Sequence, residues 1–301
     1  MNKKKYKNKN MDVSIIIVNY NTLQMTSECI DSLCRQTNGI DFEIILVDNG
    51  STDGSRKHFE SDSRITYIYN EENLGFGKAN NLGYKHSHGK YIFLLNSDTL
   101  LLNNAIHEFF QFMEQASPTV ACCGCQLVDI SNKPTHSAGR FPGIYDFSVR
   151  VMSFTFYELC RKINKEKEFE RNSKVDYVTG ADLFIRREVV EKCGMFDPDF
   201  FMYFEETEMQ NRFHKAGYDN MIILTPKIKH LVGGSYKRVG HSLSGLIREM
   251  ESRYIYCKKV HSSIKYHIIA ILHLLMIPRI LICRAPYAEK IMLAKIIFFN
   301  L

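Results

Sequence analysis

The chain has 301 residues, of which 45% are hydrophobic and 24% are charged, and its formal net charge is +6. This composition is typical of a globular protein with a sizeable core, and it excludes a chain that is disordered throughout. The length allows one large domain or two small ones. Basic residues gather near both ends, in 3–9 and 258–284, and such ends suit an anionic surface.

The cysteines and the N-terminus indicate a reducing compartment. The nine cysteines are odd in number and irregularly spaced, and the cluster 122–125 has no second ligand pair at the spacing of a zinc site. We interpret them as reduced thiols that mostly pack in the core. Residues 1–10 lack the apolar segment of a secretory signal, so we expect a basic disordered tail and a chain that begins in the cytoplasm.

Between residues 13 and 95, short apolar runs alternate with helical patterns. The predicted strands are 13–18, 43–47, 65–69 and 91–95. This alternation predicts an α/β fold with a mostly parallel sheet flanked by helices. In such sheets ligands bind at the carboxyl ends of the strands. The polar loops at those ends therefore predict one crevice, built by 18–22, 48–55, 73–80 and 96–99.

The second half of the chain is less regular. Residues 141–173 combine aromatics with a charged run, and we interpret them as an insertion or flexible flap. A regular pattern returns over 175–185, and a helix is predicted to follow it through 189–193. The stretch 264–283 is interrupted by Pro278 and Arg279 and the stretch 291–299 is short, so neither reaches the roughly 20 uninterrupted apolar residues that a spanning helix needs.

We expect a single domain over 11–260 and a basic apolar helical segment over 261–301. Such a segment is typical of helices that lie on an anionic membrane surface. The alternative is that these helices pack on the domain itself or on a second subunit, which leaves a homodimer open.

Three glutamates in the run 200–208 directly follow a series of aromatic residues. Burial raises the pKa of a carboxyl group, and a neighbouring carboxylate raises it further. Glu206 and its neighbour Glu205 are therefore candidates for a general base. The alternative is that these acids begin a helix and complement its N-terminal dipole.

Two loops at strand ends have the composition of nucleotide-binding loops. Residues 48–55 combine Asp48 with small hydrogen-bonding residues that can bind a nucleoside, although a simple connector is the alternative. A calcium loop beginning at Asn49 lacks the leading Asp and follows a strand rather than a helix. Residues 73–77 place glycines before a helix, but the third glycine of the dinucleotide fingerprint is missing and position 80 is Asn80, so a dehydrogenase is poorly supported.

Asp98 follows an apolar strand and projects from the sheet edge into the same crevice. A divalent cation that bridges a diphosphate needs only one or two protein carboxylates, because phosphate oxygens and water complete its shell. The alternative role for Asp98 is helix capping. His230 precedes the flexible pair Gly233-Gly234, which would allow it to reach the metal or the phosphate, whereas an isolated histidine is usually structural.

Six motifs together resemble family-2 glycosyltransferases, especially their rhamnosyltransferase-like branch. They follow the family order over residues 13 to about 236, and they are 13–21, 48–53, 72–76, 95–99, 180–187 and 200–208. The resemblance implies a GT-A fold, a nucleotide-diphospho-sugar donor, a divalent metal (Mg²⁺ or Mn²⁺) and inversion at the anomeric carbon. It implies a saccharide or lipid-linked acceptor and no nucleic acid.

The resemblance also assigns roles by position. Asp48 would contact the nucleotide base or ribose, Asp98 would bind the metal and Glu206 would be the catalytic base. His230, from its position beside the glycine pair, is our candidate for a second metal ligand. Asn96 replaces the first acid of the metal motif, and the base position more often holds Asp, so Glu205 stays open as the base. The implied donor-binding residues are Val18, Asn19, Tyr20, Asp48, Asn49, Gly50, Asn73, Gly75, Phe76, Asn80 and Asn96, and the implied acceptor-binding residues are Gly180 and Ala181.

We therefore expect transfer of a sugar, with rhamnose as one candidate, to a bacterial surface polysaccharide at the inner face of the cell membrane. Two other classes stay open. A nucleotidyltransferase would use the same crevice but release pyrophosphate. A non-catalytic sugar-binding relative would bind donor without turnover, and the acids at positions 98 and 206 argue against it.

Overall fold

The computed structural model describes residues 11–148, 168–231, 243–282 and 286–300. The predicted basic tail, residues 149–167 of the predicted insertion and the glycine pair after His230 lie outside these ranges.

The first half of the chain alternates strands and helices, as the sequence predicts. Its elements are β1 (Val13–Asn19), α1 (Leu23–Gln36), β2 (Phe42–Asn49), α2 (Ser55–Phe59), β3 (Thr66–Asn70), α3 (Phe76–Lys85), β4 (Tyr91–Asn96), β5 (Thr99–Leu101), α4 (Ala105–Gln115) and β6 (Val120–Cys125).

The second half begins with short strands and ends in helices. Its elements are β7 (Ala138–Gly139), β8 (Ser173–Val175), β9 (Tyr177–Val178), β10 (Asp182–Arg186), α5 (Arg187–Cys193), α6 (Glu205–Lys215), β11 (Asp219–Ile223), β12 (Ile228–His230), α7 (Leu243–Val260), α8 (Ser263–His273), a 3₁₀ turn (Leu274–Met276), α9 (Ile277–Ile282) and α10 (Tyr287–Phe299).

Within the described ranges, the central sheet has eight strands in the order β3-β2-β1-β4-β10-β6-β11-β8. The strands β3, β2, β1 and β4 run parallel to one another, and β11 runs parallel to β6. β10 runs antiparallel to both β4 and β6, and β8 runs antiparallel to β11. The structure thus confirms an α/β fold with a mixed, mostly parallel sheet.

Helices cover both faces of this sheet. In β1, Ile15 and Ile17 belong to a core cluster that includes Phe109 of α4, whereas Ile16 belongs to a second cluster that includes Met209 of α6. A strand that is covered on both faces must be apolar at successive positions, which explains the uninterrupted β-branched run in β1.

The structure divides the regular segment 175–185 among β8, β9 and β10. The turn between β9 and β10 contains Gly180 and Ala181, and the Ala181 carbonyl accepts a hydrogen bond of 3.0 Å from the Asn96 amide. The chain bends here so that β10 can pair with β4. This bend brings the turn next to the end of β4.

The C-terminal helices share an apolar core with α7. Tyr254 and Cys257 of α7, Ile269 of α8 and Leu293 of α10 belong to the same buried cluster. The segment Ser263–Ile282 is helical over 20 residues. An 18-residue stretch within it has a mean hydropathy of 1.6, and 35% of that stretch is buried. By length and composition alone this segment can cross a membrane, contrary to the sequence-based expectation that no stretch is long enough.

Candidate active site

The strands β1, β2 and β4 end side by side and bring their polar loops together. Their register pairs Asn19 with Asp48 and Val18 with Asn96. Val18 and Asn96 are half-buried and Tyr20 is exposed, so these residues are accessible at the carboxyl edge of the sheet. The structure therefore places the predicted crevice where an open α/β sheet binds its ligands.

Four of the predicted donor-binding side chains are buried rather than open to this crevice. Their exposed fractions lie between 0 and 2%, and they are Asn19, Asp48, Asn49 and Asn80. The Asp48 carboxylate accepts hydrogen bonds from the Ser51 amide at 3.0 Å and the Tyr67 hydroxyl at 2.7 Å. The Asn80 amide donates to the Phe76 carbonyl of its own helix. These side chains satisfy buried polar groups, and direct donor contact by them stays a prediction.

Asn49 holds the loop that precedes α3. Its amide nitrogen donates to the Asn73 side-chain oxygen at 2.8 Å, and its oxygen accepts from the Leu74 amide at 3.0 Å. The Gly75 amide completes the loop by donating to the same Asn73 oxygen at 2.9 Å. Gly50 lies against this loop with a positive φ of 83°, where a Cβ would be 3.1 Å from the Glu72 carbonyl carbon.

The loop at Gly75 contacts the segment that precedes the glutamates. The Phe76 amide donates a hydrogen bond of 2.9 Å to the Phe201 carbonyl. Gly75 has a φ of +82°, and a Cβ at this position would be 2.2 Å from the same carbonyl oxygen. Only glycine fits this conformation and this approach of two backbones.

Asp98 and His230 lie together at the edge of the crevice. The antiparallel pairing of β5 with β12 places Thr99 opposite His230. The His230 Nε2 atom is 3.2 Å from an Asp98 carboxylate oxygen and 3.5 Å from the Asn96 side-chain nitrogen. The Asp98 and His230 side chains are 15% and 17% exposed, so both are within reach of a ligand.

This pair fits a cation that is completed by its substrate. Within the described ranges, no group of three or more His, Cys, Asp or Glu side chains has the arrangement of a complete metal site. A cation that bridges a diphosphate needs only one or two protein ligands, and the Asp98 carboxylate and the His230 imidazole supply that number. Asn96 contributes an amide where a second carboxylate would add negative charge.

Glu205 and Glu206 begin α6 directly after two residues with positive φ angles, Tyr203 at +74° and Phe204 at +66°. Glu205 is 3% exposed, whereas Glu206 is half-buried. A Cβ placed on Gly180 would be 3.8 Å from the Glu206 Cβ and 3.2 Å from the Phe76 ring. The structure therefore brings Glu206, Gly180 and Phe76 together, while Ala181 is buried behind them.

Burial raises the pKa of both carboxyl groups. For Glu205 the pKa lies well above its ordinary value, first because of burial and then because of the charge of Glu206. Burial also raises the pKa of Glu206, but hydrogen bonds from its own amide and from the Thr207 amide and hydroxyl partly offset this effect. The surroundings of Glu205 therefore favour the protonated form of its carboxyl group, because it is more deeply buried and lies next to the charge of Glu206.

Two further side chains fix α6, and the sequence analysis did not identify them. The Gln210 amide accepts a hydrogen bond of 2.8 Å from the Val178 amide and donates one of 2.7 Å to the Val178 carbonyl. Arg212 binds both Glu208 carboxylate oxygens at 3.0 Å. The four-residue spacing of Glu208 and Arg212 on a helix indicates this ion pair, whereas no local pattern indicates the contact of Gln210 with a strand 32 residues away.

A mixed, mostly parallel sheet flanked by helices, with Asp98 and His230 near the end of β4, has the architecture of a GT-A fold. A solved mannosyltransferase of Pyrobaculum calidifontis, in complex with GDP-mannose and Mn²⁺, has this fold, with a TM-score of 0.57, 16% identity, and coverage of 96% of this chain and 80% of its own. The family model for glycosyl transferase family 2 matches residues 14–194. The chain belongs to that family.

Curated relatives include bacterial and archaeal glycosyltransferases. A glycosyltransferase of Rickettsia bellii is 36% identical over 136 residues, which are 44% of this chain and 19% of the relative. The glycosyltransferase AglE of Haloferax volcanii is 26% identical over 211 residues, which are 68% of this chain and 62% of the relative. The chain thus spans from about a fifth to less than two thirds of the length of these two relatives.

Proposed function

We propose that this protein is an inverting, metal-dependent glycosyltransferase that moves a sugar from a nucleotide-diphospho-sugar to a hydroxyl of a saccharide acceptor. The observation that carries the proposal is the position of Glu206 beside Gly180 and Phe76, at the same crevice as the end of β4. A half-buried carboxylate with a raised pKa, next to an open crevice, has the properties of a general base.

In the proposed mechanism Glu206 removes the proton from the acceptor hydroxyl. The freed oxygen attacks the anomeric carbon from the face opposite the nucleotide, and the bond to the diphosphate oxygen breaks. Glu205 holds a proton and thereby avoids a second negative charge beside the base. Asp98 and His230 would hold a divalent cation, Mg²⁺ or Mn²⁺, which neutralises charge on the diphosphate when it is bound.

In this proposal the accessible residues of the crevice bind the donor. Val18, Tyr20 and Asn96 lie at the strand ends, and the loop of Asn73 and Gly75 borders them. The GDP-mannose in the structural relative supports a nucleotide-diphospho-sugar as the donor class. Rhamnose is our candidate for the transferred sugar, because the six motifs together resemble the rhamnosyltransferase-like branch of the family.

The acceptor is proposed to be a growing bacterial surface polysaccharide on a lipid carrier, at the inner face of the cell membrane. The exposed side of α8 supports this location. Ile264, Ile268 and Ile271 are 75%, 40% and 58% exposed and are spaced four and three residues apart, so they share one side of the helix. Lys265 lies next to this side. Exposed isoleucines and a neighbouring lysine suit an anionic lipid surface.

Donor binding and turnover test the proposal separately. A panel of nucleotide sugars is screened, with and without Mn²⁺, for protection against thermal unfolding, and the best ligand is then used with candidate acceptors. We expect metal-dependent protection in the wild type and none in Asp98→Ala. If Asp98→Ala binds the donor with unchanged metal dependence, the metal assignment is wrong.

The base is tested with two neighbouring isosteric variants. Glu206→Gln keeps the size of the side chain but cannot accept the proton, so we expect turnover to fall by about 10²-fold or more with donor affinity nearly unchanged. Glu205→Gln is the matched control and is expected to stay active. A large loss in Glu205→Gln with none in Glu206→Gln would move the base by one position.

A further inference from the structure

One side of α7 lies along the segment that leads into the glutamate pair. We call residues 197–204 the catalytic loop, because they end directly before Glu205. Residues 248, 252, 256 and 259 of α7 are spaced four, four and three positions apart, which places them on one side of a helix. Each of them contacts a residue of the catalytic loop.

The central contact is a hydrogen bond to the backbone of the loop. The Ser252 hydroxyl donates to the Met202 carbonyl at 2.7 Å, and Ser252 is 2% exposed. One turn further, the Tyr256 ring lies 5.4 Å from the Phe204 ring, centroid to centroid. These two contacts hold the loop on either side of Tyr203.

Two contacts fix the start of the loop. The Lys259 ammonium group is 2.8 Å from an Asp197 carboxylate oxygen and 2.7 Å from an Asp199 carboxylate oxygen. At the other end of the row, the Arg248 guanidinium lies 5.3 Å from the centre of the Phe201 ring. The loop is therefore held at both ends and in its middle by a single helix.

The catalytic loop needs such support because of its backbone. Tyr203 and Phe204 both have positive φ angles, a conformation that bulky L-residues adopt only when their surroundings impose it. A shift of either residue rotates the first turn of α6 and with it the Glu206 carboxylate. Misplacement of a reacting group by about 1 Å costs as much as 10²-fold in rate.

We propose that α7 supports the catalytic loop and holds it in its conformation. In this proposal Ser252 is a positioning residue, which sets the orientation of Glu206 through the Met202 carbonyl. The proposal rests on Glu206 as the base of the proposed transfer reaction. It assigns a role in turnover to a helix that begins about 50 residues after the family match ends at residue 194.

The first test uses the hydroxyl of Ser252. In Ser252→Ala we expect kcat to fall about 10-fold with KM for the donor unchanged, because the crevice is intact and only the base is displaced. Ser252→Thr retains a hydroxyl and is expected to recover most of the rate. Hydrogen exchange of the amides of 203–206 is expected to accelerate in Ser252→Ala and not in Ser252→Thr.

The second test uses two adjacent lysines at the surface and does not depend on the core. Lys259→Met removes both ion pairs to the loop, whereas Lys258→Met removes the same charge from a side chain that lies 5.5 Å from the Tyr266 ring. We expect slower turnover and faster exchange at 203–206 only in Lys259→Met. If Ser252→Ala does not fold, the comparison of Lys259→Met with Lys258→Met still tests the proposal.

The proposal would be overturned if Ser252→Ala had both the kcat and the hydrogen exchange at 203–206 of the wild type. It would also be overturned if the two lysine variants behaved equally. The exchange measurement needs no substrate. If no donor and acceptor pair gives turnover, the glycosyl-transfer proposal fails. The support of the catalytic loop by α7 is still tested by hydrogen exchange.

Discussion

Glu205 and Glu206 are adjacent in sequence but differ in their surroundings. Glu205 is 3% exposed, and one of its carboxylate oxygens has no hydrogen-bond partner among the described atoms. Glu206 is half-buried and accepts hydrogen bonds from Thr207. The sequence predicts that one of the two is the base, and the difference in burial, which depends on the tertiary structure, is what leads us to propose Glu206.

The buried Glu205 makes stability depend on pH. Its folded pKa is raised, so the folded state resists ionisation, whereas the unfolded chain ionises freely above its ordinary value of 4.5. Burial of Glu205 therefore does not reduce the free energy of unfolding below that pH, and it reduces this free energy increasingly as the pH rises. We expect Glu205→Gln to raise Tm by roughly 2 °C or more at pH 8 and to leave it nearly unchanged at pH 4, as measured by thermal unfolding. An equal change at both pH values would contradict the assignment of a buried, protonated Glu205.

Gly75 gives a second residue-scale prediction. Gly75→Ala introduces a Cβ 2.2 Å from the Phe201 carbonyl oxygen, so residues 73–76, which we call the donor loop, must separate from the catalytic loop. Gly217 is a matched control, because its φ of +88° is similar and a Cβ there meets nothing within 4 Å. We expect Gly217→Ala to cost about 1 kcal/mol for the backbone alone. We expect Gly75→Ala to lower the free energy of unfolding by clearly more than Gly217→Ala, as measured by urea unfolding. We also expect the donor to stop protecting the Gly75→Ala variant against thermal unfolding.

At the scale of elements, the regular alternation of β1 to β4 with their helices was predictable from hydrophobic periodicity. The division of 175–185 into three short strands was not, because it depends on pairing of the Ala181 carbonyl with the Asn96 amide of β4. The same limit applies to the site. Motifs located Asp98 and Glu206, but the buried side chains of Asp48 and Asn49 bond to Tyr67 and Asn73, which lie 19 and 24 positions away in sequence.

Gln210 connects two elements of the site, α6 and β9. Replacing it with Leu leaves the Val178 amide and carbonyl without their partners in a buried position, so we expect a loss of about 2–4 kcal/mol in urea unfolding, together with lower kcat. Gln111→Leu on the exposed side of α4 is the control and is expected to change stability by less than about 0.5 kcal/mol. Equal effects in the two variants would show that the Gln210 bridge is unimportant.

At the scale of the whole molecule, the C-terminal helices have one side in the core and another side exposed. Their buried side packs on α7, so the shared core supports the alternative that they belong to the fold. A chain that ends near Lys259 exposes Tyr254 and Cys257, and we expect it to be less stable, contrary to the behaviour of a detachable anchor. Membrane binding must therefore be tested in the full chain.

A flotation assay with anionic liposomes provides that test. The triple variant of Ile264, Ile268 and Ile271 to Gln alters only exposed side chains, so we expect it to fold normally and to stop floating, whereas the wild type floats. Ile130→Gln is the control, because Ile130 is 75% exposed outside this segment. High salt is expected to release the wild type only in part, since screening leaves apolar burial intact. If the wild type does not float, the membrane placement fails.

The backbone contact between the Phe76 amide and the Phe201 carbonyl has a consequence for how such a site diversifies. Because two main chains meet there and Gly75 allows their close approach, backbone contact sets the spacing between the donor loop and the catalytic loop as long as position 75 stays glycine. Point substitutions that keep Gly75 and the contacts between α7 and the catalytic loop can alter the choice of sugar or nucleotide while the base keeps its position. Insertions or deletions at 73–76 or 198–204 change that spacing directly. Engineering of donor preference in this protein should therefore preserve Gly75, the contacts with α7 and the length of both loops, and exchange the other side chains.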